Sequence, residues 1–372
     1  MGQGAFSSRT IPEYMSKINM RREALGVKAV SLRAQTDEST ELGITYSAAQ
    51  LAASKDEDRY SMQSGSSVAE GTVNYKKASD TLCIGVYDGH GSSEVADYLR
   101  EHMTKTIMQQ AKGSSTDGLV PKKVITDMFQ KMDNASRELF PYAGAAATSI
   151  FITKLEDGSR HIRCAWVGDC RALAFSGKRS LVSRELSKDH SLERKDELKR
   201  IRQHHEKHGG AYVSKRLNRI NRPVGHTALY AEEPAFGSLS ITMTRSIGDE
   251  YCSKACIATP EIVDYVVGKD ENARIVVASD GLWRIIDNEG AERLMKKHGD
   301  KNSAVISRVL AVEALVRTQR NLQRMSCDDI TVIVIDVAEA SNSMDKTLTS
   351  STPEREPISR VPSIDSSIFR AS

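Results

Sequence analysis

Apolar residues follow two spacings along this chain. Leu82-Cys83-Ile84-Gly85-Val86-Tyr87, Thr148–Thr153, Ile162–Val167, Arg171–Phe175, Ile262–Val267, Arg274–Ser279 and Ile330–Ile335 are short, nearly continuous apolar runs. Runs of that length predict buried strands rather than helices. Leu42–Tyr46 and Leu239–Met243 give weaker strand signals. Elsewhere apolar positions recur every three or four residues. Val95, Tyr98, Leu99 and Met103 mark a helix over about 93–111, and Val124, Ile125, Met128, Met132 and Leu139 mark another over about 121–140. Further helices are predicted over about 191–208, 288–298 and 302–325.

The connections sort these elements into a class. Residues 63–80 are Ser- and Gly-rich, and Asp157-Gly158 is a hairpin signal between two strands. Strands outnumber helices, and helices fall in pairs between blocks of hairpin-linked strands. The expected class is therefore α+β, an antiparallel β-sandwich flanked by pairs of α-helices, over a doubly wound parallel sheet. Residues 1–40 lack periodicity and are expected to form an N-terminal arm before one catalytic domain over 41–338. Residues 211–237 read as a long surface flap, and 339–372, rich in Ser, Thr and charge, as a disordered tail.

Composition narrows the partners. At 39% apolar and 27% charged, the 372 residues are those of a globular protein, and the net charge of +3 gives no case for nucleic acid. Six scattered cysteines without a C-x-x-C pair fit reduced thiols and a cytoplasmic setting, with the nucleus or a weak membrane association as alternatives. No apolar run approaches the ~18 residues of a membrane span. Met1-Gly2 opens like a myristoylation signal, but Phe6 stands where Ser or Thr is required. Membrane contact is thus expected only if Gly2 is nonetheless acylated. A monomer is expected.

The candidate chemistry lies at strand ends. Glu57-Asp58, Asp88, Asp169, Asp280 and Asp328 each begin or end an apolar strand. Each alone reads as a turn aspartate, but five of them on one rim would repel unless a cation compensated. An all-oxygen donor set selects a hard ion, Mg²⁺ or Mn²⁺, over Zn²⁺. His204, His205 and His208 fit a solvated helix end better than a metal site.

The motifs resemble those of the metal-dependent protein phosphatases of the protein phosphatase 2C family over about residues 42–338. The resemblance rests on Asp56-Glu57-Asp58-Arg59-Tyr60, Val86-Tyr87-Asp88-Gly89-His90-Gly91, Val167-Gly168-Asp169-Cys170-Arg171, Leu186-Ser187-Lys188-Asp189-His190, Gly209-Gly210, Thr244-Arg245-Ser246-Ile247-Gly248-Asp249, Ala278-Ser279-Asp280-Gly281-Leu282-Trp283 and Asp328-Asp329-Ile330-Thr331-Val332, in the family's order. It implies that Asp88 bridges two Mn²⁺ or Mg²⁺ ions. Asp280 and Asp328 would hold one, and Glu57 with the Gly89 carbonyl the other. Asp58 would support that shell, and Asp169 with Asp280 could take a third, weaker ion. His90 would be the general acid, and metal-bound water would attack phosphoserine or phosphothreonine of a protein substrate directly.

Departures from the family pattern are few. Ala53 stands where an arginine usually clamps the substrate phosphate, leaving Lys55 and Arg59 as weak substitutes. Asp328-Asp329 replaces an Asp-Asn pair, the turn before Thr148 is Ala-rich, and Arg284 follows Trp283 where an acid is common. The alternative expectation is a phosphatase-fold regulatory or binding module with little turnover.

Overall fold

Along Thr81–His90 successive side chains enter different cores. Leu82, Ile84 and Val86 join one apolar cluster, while Cys83 and Tyr87 join another. A strand buried on both faces has no reason to alternate, which is why it reads as a continuous apolar run. The computed structural model describes residues 30–39, 42–52, 55–64, 81–111, 118–177, 181–208, 211–217, 223–231, 240–252, 255–322 and 328–338, with parts of 11–20.

Two six-stranded antiparallel sheets form the centre. The first has the order β1 (Ser31–Ser39), β2 (Ile44–Ala52), β15 (Ile330–Val337), β14 (Ala273–Ala278), β7 (Arg171–Ser176), β8 (Val182–Glu185). The second runs β13 (Glu261–Val267), β6 (Arg160–Val167), β5 (Gly144–Lys154), β4 (Thr81–His90), β3 (Asp58–Ser64), with β12 (Ile247–Gly248) also paired to β5. Ile44, Tyr46, Ile275, Val277, Ile333 and Ile335 of the first sheet meet Leu82, Ile84, Val86, Ile150, Ile162 and Trp166 of the second in the central core.

Helices cover the outer faces, a long pair on one side and a long pair with a single turn on the other. α1 (Glu94–Ala111) and α2 (Lys122–Leu139) set Leu99, Met103, Ile125, Phe129 and Met132 against Cys83, Tyr87 and Phe151. On the other side α4 (Asp280–Trp283), α5 (Asn288–His298) and α6 (Ser303–Leu322) set Leu282, Leu294, Ile306 and Leu310 against Leu51, Phe175, Val276 and Val334. α3 (Lys195–His208) lies between β8 and a small third sheet of β9 (Ala211–Leu217), β10 (Pro223–Ala231) and β11 (Ser240–Ile241) in sequence. The α+β sandwich with paired helices is the architecture observed.

Three sequence expectations need correction. Residues 31–39 of the expected arm form a full edge strand, paired from Ser31↔Ala52 to Ser39↔Ile44. Its side chains are mostly exposed, so it lacks the apolar signal of a buried strand. Ile11 and Met15 are likewise buried against the α5/α6 side. The flap contains strands β9 and β10, with Leu229 buried in the central core. Finally, the strand read over Leu82–Tyr87 does not stop there; the ladder continues through Gly89 to His90↔Gly144, and the turn comes at Gly91, in the left-handed region at φ 79°. The 65–80 part of the hairpin loop, Ala53, Gly209-Gly210, Cys327 and the tail 339–372 lie outside the described residues.

Register places the acidic strand ends together. Ala278 pairs with Val332 on one side and Arg171 on the other, so residues 280, 328 and 169 fall at one end of the first sheet. Asp58 pairs with Asp88 at the same end of the second.

Candidate metal centre

Carboxylate oxygens of Asp88, Asp169 and Asp280 all lie within 4.8 Å of one another. They come from β4, from the β6–β7 turn and from the start of α4. The Asp280 amide donates to Asp88 Oδ2 at 3.3 Å, tying α4 to β4. Asp169 Oδ1 is buried with no hydrogen-bond partner. An anionic oxygen left this way needs a cation. The donor set, all carboxylate, suits a hard divalent ion.

Two cationic side chains reach the cluster's edge. Arg284 contacts the Asp280 carboxylate and lies 3.2 Å from Asp328 Oδ2 and 4.0 Å from Asp169 Oδ2. Lys55 Nζ stands 3.6 Å from Glu57 Oε2 and 3.7 Å from Asp328 Oδ1. Glu57 and Asp328 are therefore joined to the rim through these cations. The Glu57 amide is fixed by Asp329 Oδ2 at 2.5 Å. A Cβ at Gly89 would strike the Glu57 carbonyl, so glycine lets β4 approach this loop.

Crowding shows in the acidities. Burial first, then the charges of Asp58, Asp280 and Asp169, push Asp88 well above the usual carboxylate range. Burial and Asp169 do the same to Asp280, against the opposing pull of Arg284. Asp58 is 1% exposed and accepts from Ser279 Oγ at 2.7 Å. Its burial outweighs that bond and pushes it up to about 7. Asp58 is thus buried beside Asp88 and tied to Ser279, at the foot of α4.

His90 is held by a residue to which the sequence reading assigned no role. Its Nε2 lies 2.8 Å from both carboxylate oxygens of Asp249. Asp249 is fully buried, stands in the left-handed region at φ 54°, and its amide donates to the Ala143 carbonyl at 2.9 Å. Burial pulls the imidazole down, but the Asp249 carboxylate outweighs it and leaves His90 above its ordinary value. Asp249 belongs to the Thr244–Asp249 block, which was the available signal.

Arg59 is corrected as a phosphate ligand. Its Nε and Nη2 grip Asp97 at 2.6 and 3.0 Å, and Nη1 donates to the carbonyls of Asp56 and Asp58 at 2.8 and 2.7 Å. Four donor contacts spent inside the protein anchor α1 to the Glu57 loop and leave little for a ligand. Lys55 keeps a half-exposed ammonium at the mouth.

The family profile described as Protein phosphatase 2C matches residues 51–322. The chain belongs to the protein phosphatase 2C family. Among its relatives, protein phosphatase 2C 77 of Arabidopsis thaliana is 30% identical over 306 residues, 75% of this chain and 66% of that protein. Protein phosphatase 2C 53 of Oryza sativa subsp. japonica is 30% identical over 287 residues, 68% of this chain and 58% of its own length. The chain thus spans less than two thirds of either relative. A crystal structure of a serine-threonine phosphatase 2C from Toxoplasma gondii shares the fold, with a TM-score of 0.63 at 16% identity, covering 84% of this chain and 100% of that one.

Other motif blocks of this protein phosphatase 2C chain act as supports. Arg171 grips Asp189 through Nε and Nη2 at 2.8 and 2.7 Å, and its carbonyl accepts from Trp283 Nε1 at 3.1 Å. The Gly168 amide donates to His190 Nδ1 at 3.2 Å, fixing the turn that carries Asp169. A second acidic group, Asp196, Glu197 and Glu261, also has close oxygens. It is already neutralised by Arg194, Arg200 and Arg245, so it reads as an ion-pair network. The five described cysteines are free and buried, and no described helix is long and apolar enough to cross a membrane.

Proposed function

We propose that the protein is a Mn²⁺- or Mg²⁺-dependent protein phosphatase that hydrolyses phosphoserine and phosphothreonine in protein substrates. The observation carrying this reading is the convergence of Asp88, Asp169 and Asp280, one oxygen of which has no partner. Asp88, Asp280 and Asp328 would hold one ion, and Glu57, Asp88 and the Gly89 carbonyl the other, with Asp58 behind them. Ions held there would acidify a water and aim it at phosphorus.

The chain's own residues supply the rest. Asp249 occupies His90 Nε2, which leaves the buried and unpartnered Nδ1 as the atom that passes a proton to the departing Ser or Thr oxygen. Lys55, at the mouth, is placed to meet the substrate phosphate as a point charge.

The test is hydrolysis of a phosphothreonine peptide and an aryl phosphate with Mn²⁺, with Mg²⁺ and with chelator. Turnover that needs the ion and disappears in Asp88→Asn is expected. A folded protein with no ion-dependent turnover on either substrate would leave the second reading, a phosphatase-fold binding module. The Arg284 guanidinium among the acidic ligands is the observation favouring that alternative.

A further inference from the structure

Arg284 joins three strand ends. It stands four residues after Asp280, at the end of the single turn α4, so its side chain folds back across the mouth of the cluster. Its ion-pair partners among the described residues are Asp280, Asp328 and Asp169. The side chain is 55% exposed, so it can leave without disturbing a packed core.

We propose that Arg284 is an intramolecular competitor for the divalent ion, seated on Asp280 and Asp328 in the metal-free protein and swinging outward when metal enters that corner. This rests on the metal-dependent reading above. A guanidinium presents N–H donors that keep carboxylate oxygens at hydrogen-bond distance, whereas Mg²⁺ draws its oxygen ligands to about 2.0–2.1 Å. Arg284 draws on Oδ2 of both Asp280 and Asp328, so an ion bound through those oxygens competes with it for their lone pairs and charge. A guanidinium and a doubly charged ion a few ångströms apart also repel. Lys55 is the milder case: its contacts of 3.6 and 3.7 Å are longer, and an ammonium has no planar fork to clamp two carboxylates. The consequence is a site whose metal-free form is held together by its own cation. Metal affinity is reduced by the stability of that closed form.

Calorimetric titration of Mn²⁺ into the chelator-stripped full chain tests this, using wild type, Arg284→Gln, Arg284→Lys and Lys55→Gln. Arg284→Gln should bind Mn²⁺ at least tenfold more tightly at its weakest site, Arg284→Lys should fall between, and Lys55→Gln should change less. In chelator, Arg284→Gln should melt below wild type, and its gain in Tm on adding Mn²⁺ should be larger. Arg284→Lys, which keeps the charge, serves if the glutamine variant does not fold without metal. Equal or weaker Mn²⁺ binding by both Arg284 variants, in a protein whose wild type binds the ion, overturns this inference alone. No binding of Mn²⁺ by any of the proteins overturns it together with the proposed function.

Discussion

Asp58 and Asp88 face each other across the β3–β4 ladder, two carboxylates in directly opposed positions. Like charges so placed are destabilising, and here both lie where burial already disfavours ionisation.

One consequence concerns metal-free stability. Asp58, raised to about 7, and Asp88, raised well above the usual carboxylate range by burial and its acidic neighbours, hold their protons in the folded chain at pH values where the unfolded chain has lost them. The folded state therefore binds more protons, and stability falls as pH rises from the unfolded carboxylate range toward 7 and above. In chelator, Tm should climb as pH is lowered from about 8 to about 5.5. Saturating Mn²⁺ should flatten that slope, and a Tm that falls on such acidification would contradict it.

Removing one charge should trade stability against function. Asp88→Asn keeps an acceptor for the Asp280 amide while removing a crowded carboxyl that the metal-free fold must hold protonated. Metal-free stability should rise by about 1–2 kcal/mol in urea unfolding, a gain typical of relieving a functional site. Stabilisation by Mn²⁺ and ion-dependent hydrolysis should both be lost.

The His90–Asp249 pair should matter most for poor leaving groups. An aryl oxide departs without help, whereas a serine or threonine oxygen needs a proton. His90→Ala should lower phosphopeptide turnover by about 10²-fold or more, with a much smaller effect on an aryl phosphate. Asp249→Asn should move the same ratio in the same direction.

Gly144 guards that pair. A Cβ there would collide with the Asp249 carboxylate and lie 2.5 Å from His90 Nε2. Gly144→Ala should reproduce the leaving-group discrimination of His90→Ala and cost about 1–3 kcal/mol, as overpacking does. Equal loss on both substrates would point to general damage.

Away from the centre, Glu197 is buried and receives Arg245, Arg200 and Thr244 Oγ1. Burial opposes its charge, but those donors win and pull it down to about 2. It therefore stabilises the fold above the unfolded glutamate value, and that contribution is lost as pH falls from about 4.5 toward 2. Glu197→Gln should cost about 3–5 kcal/mol at pH 7 and make acid unfolding less steep.

The paired helices and the buried strands were legible because they rest on neighbouring residues. An apolar run followed by small residues buries itself as a strand and then turns, whatever lies elsewhere. The edge strand Ser31–Ser39 was not legible: exposed on most positions, it is held by hydrogen bonds to β2 and carries no apolar stripe. The occupation of Arg59 by Asp97 and backbone carbonyls was equally hidden, since sequence shows a charge but not its partner.

By itself the sequence determined which residue types end each strand, and so that acidic groups would gather if the sheets paired antiparallel. Only the tertiary structure decided which charge meets which. Asp249 reaches His90 from 159 positions away, and Arg284, not Lys55 or Arg59, lies on Asp280. Burial and turn formation act over a few residues, whereas charge pairing depends on strand register and on where each side chain ends in space.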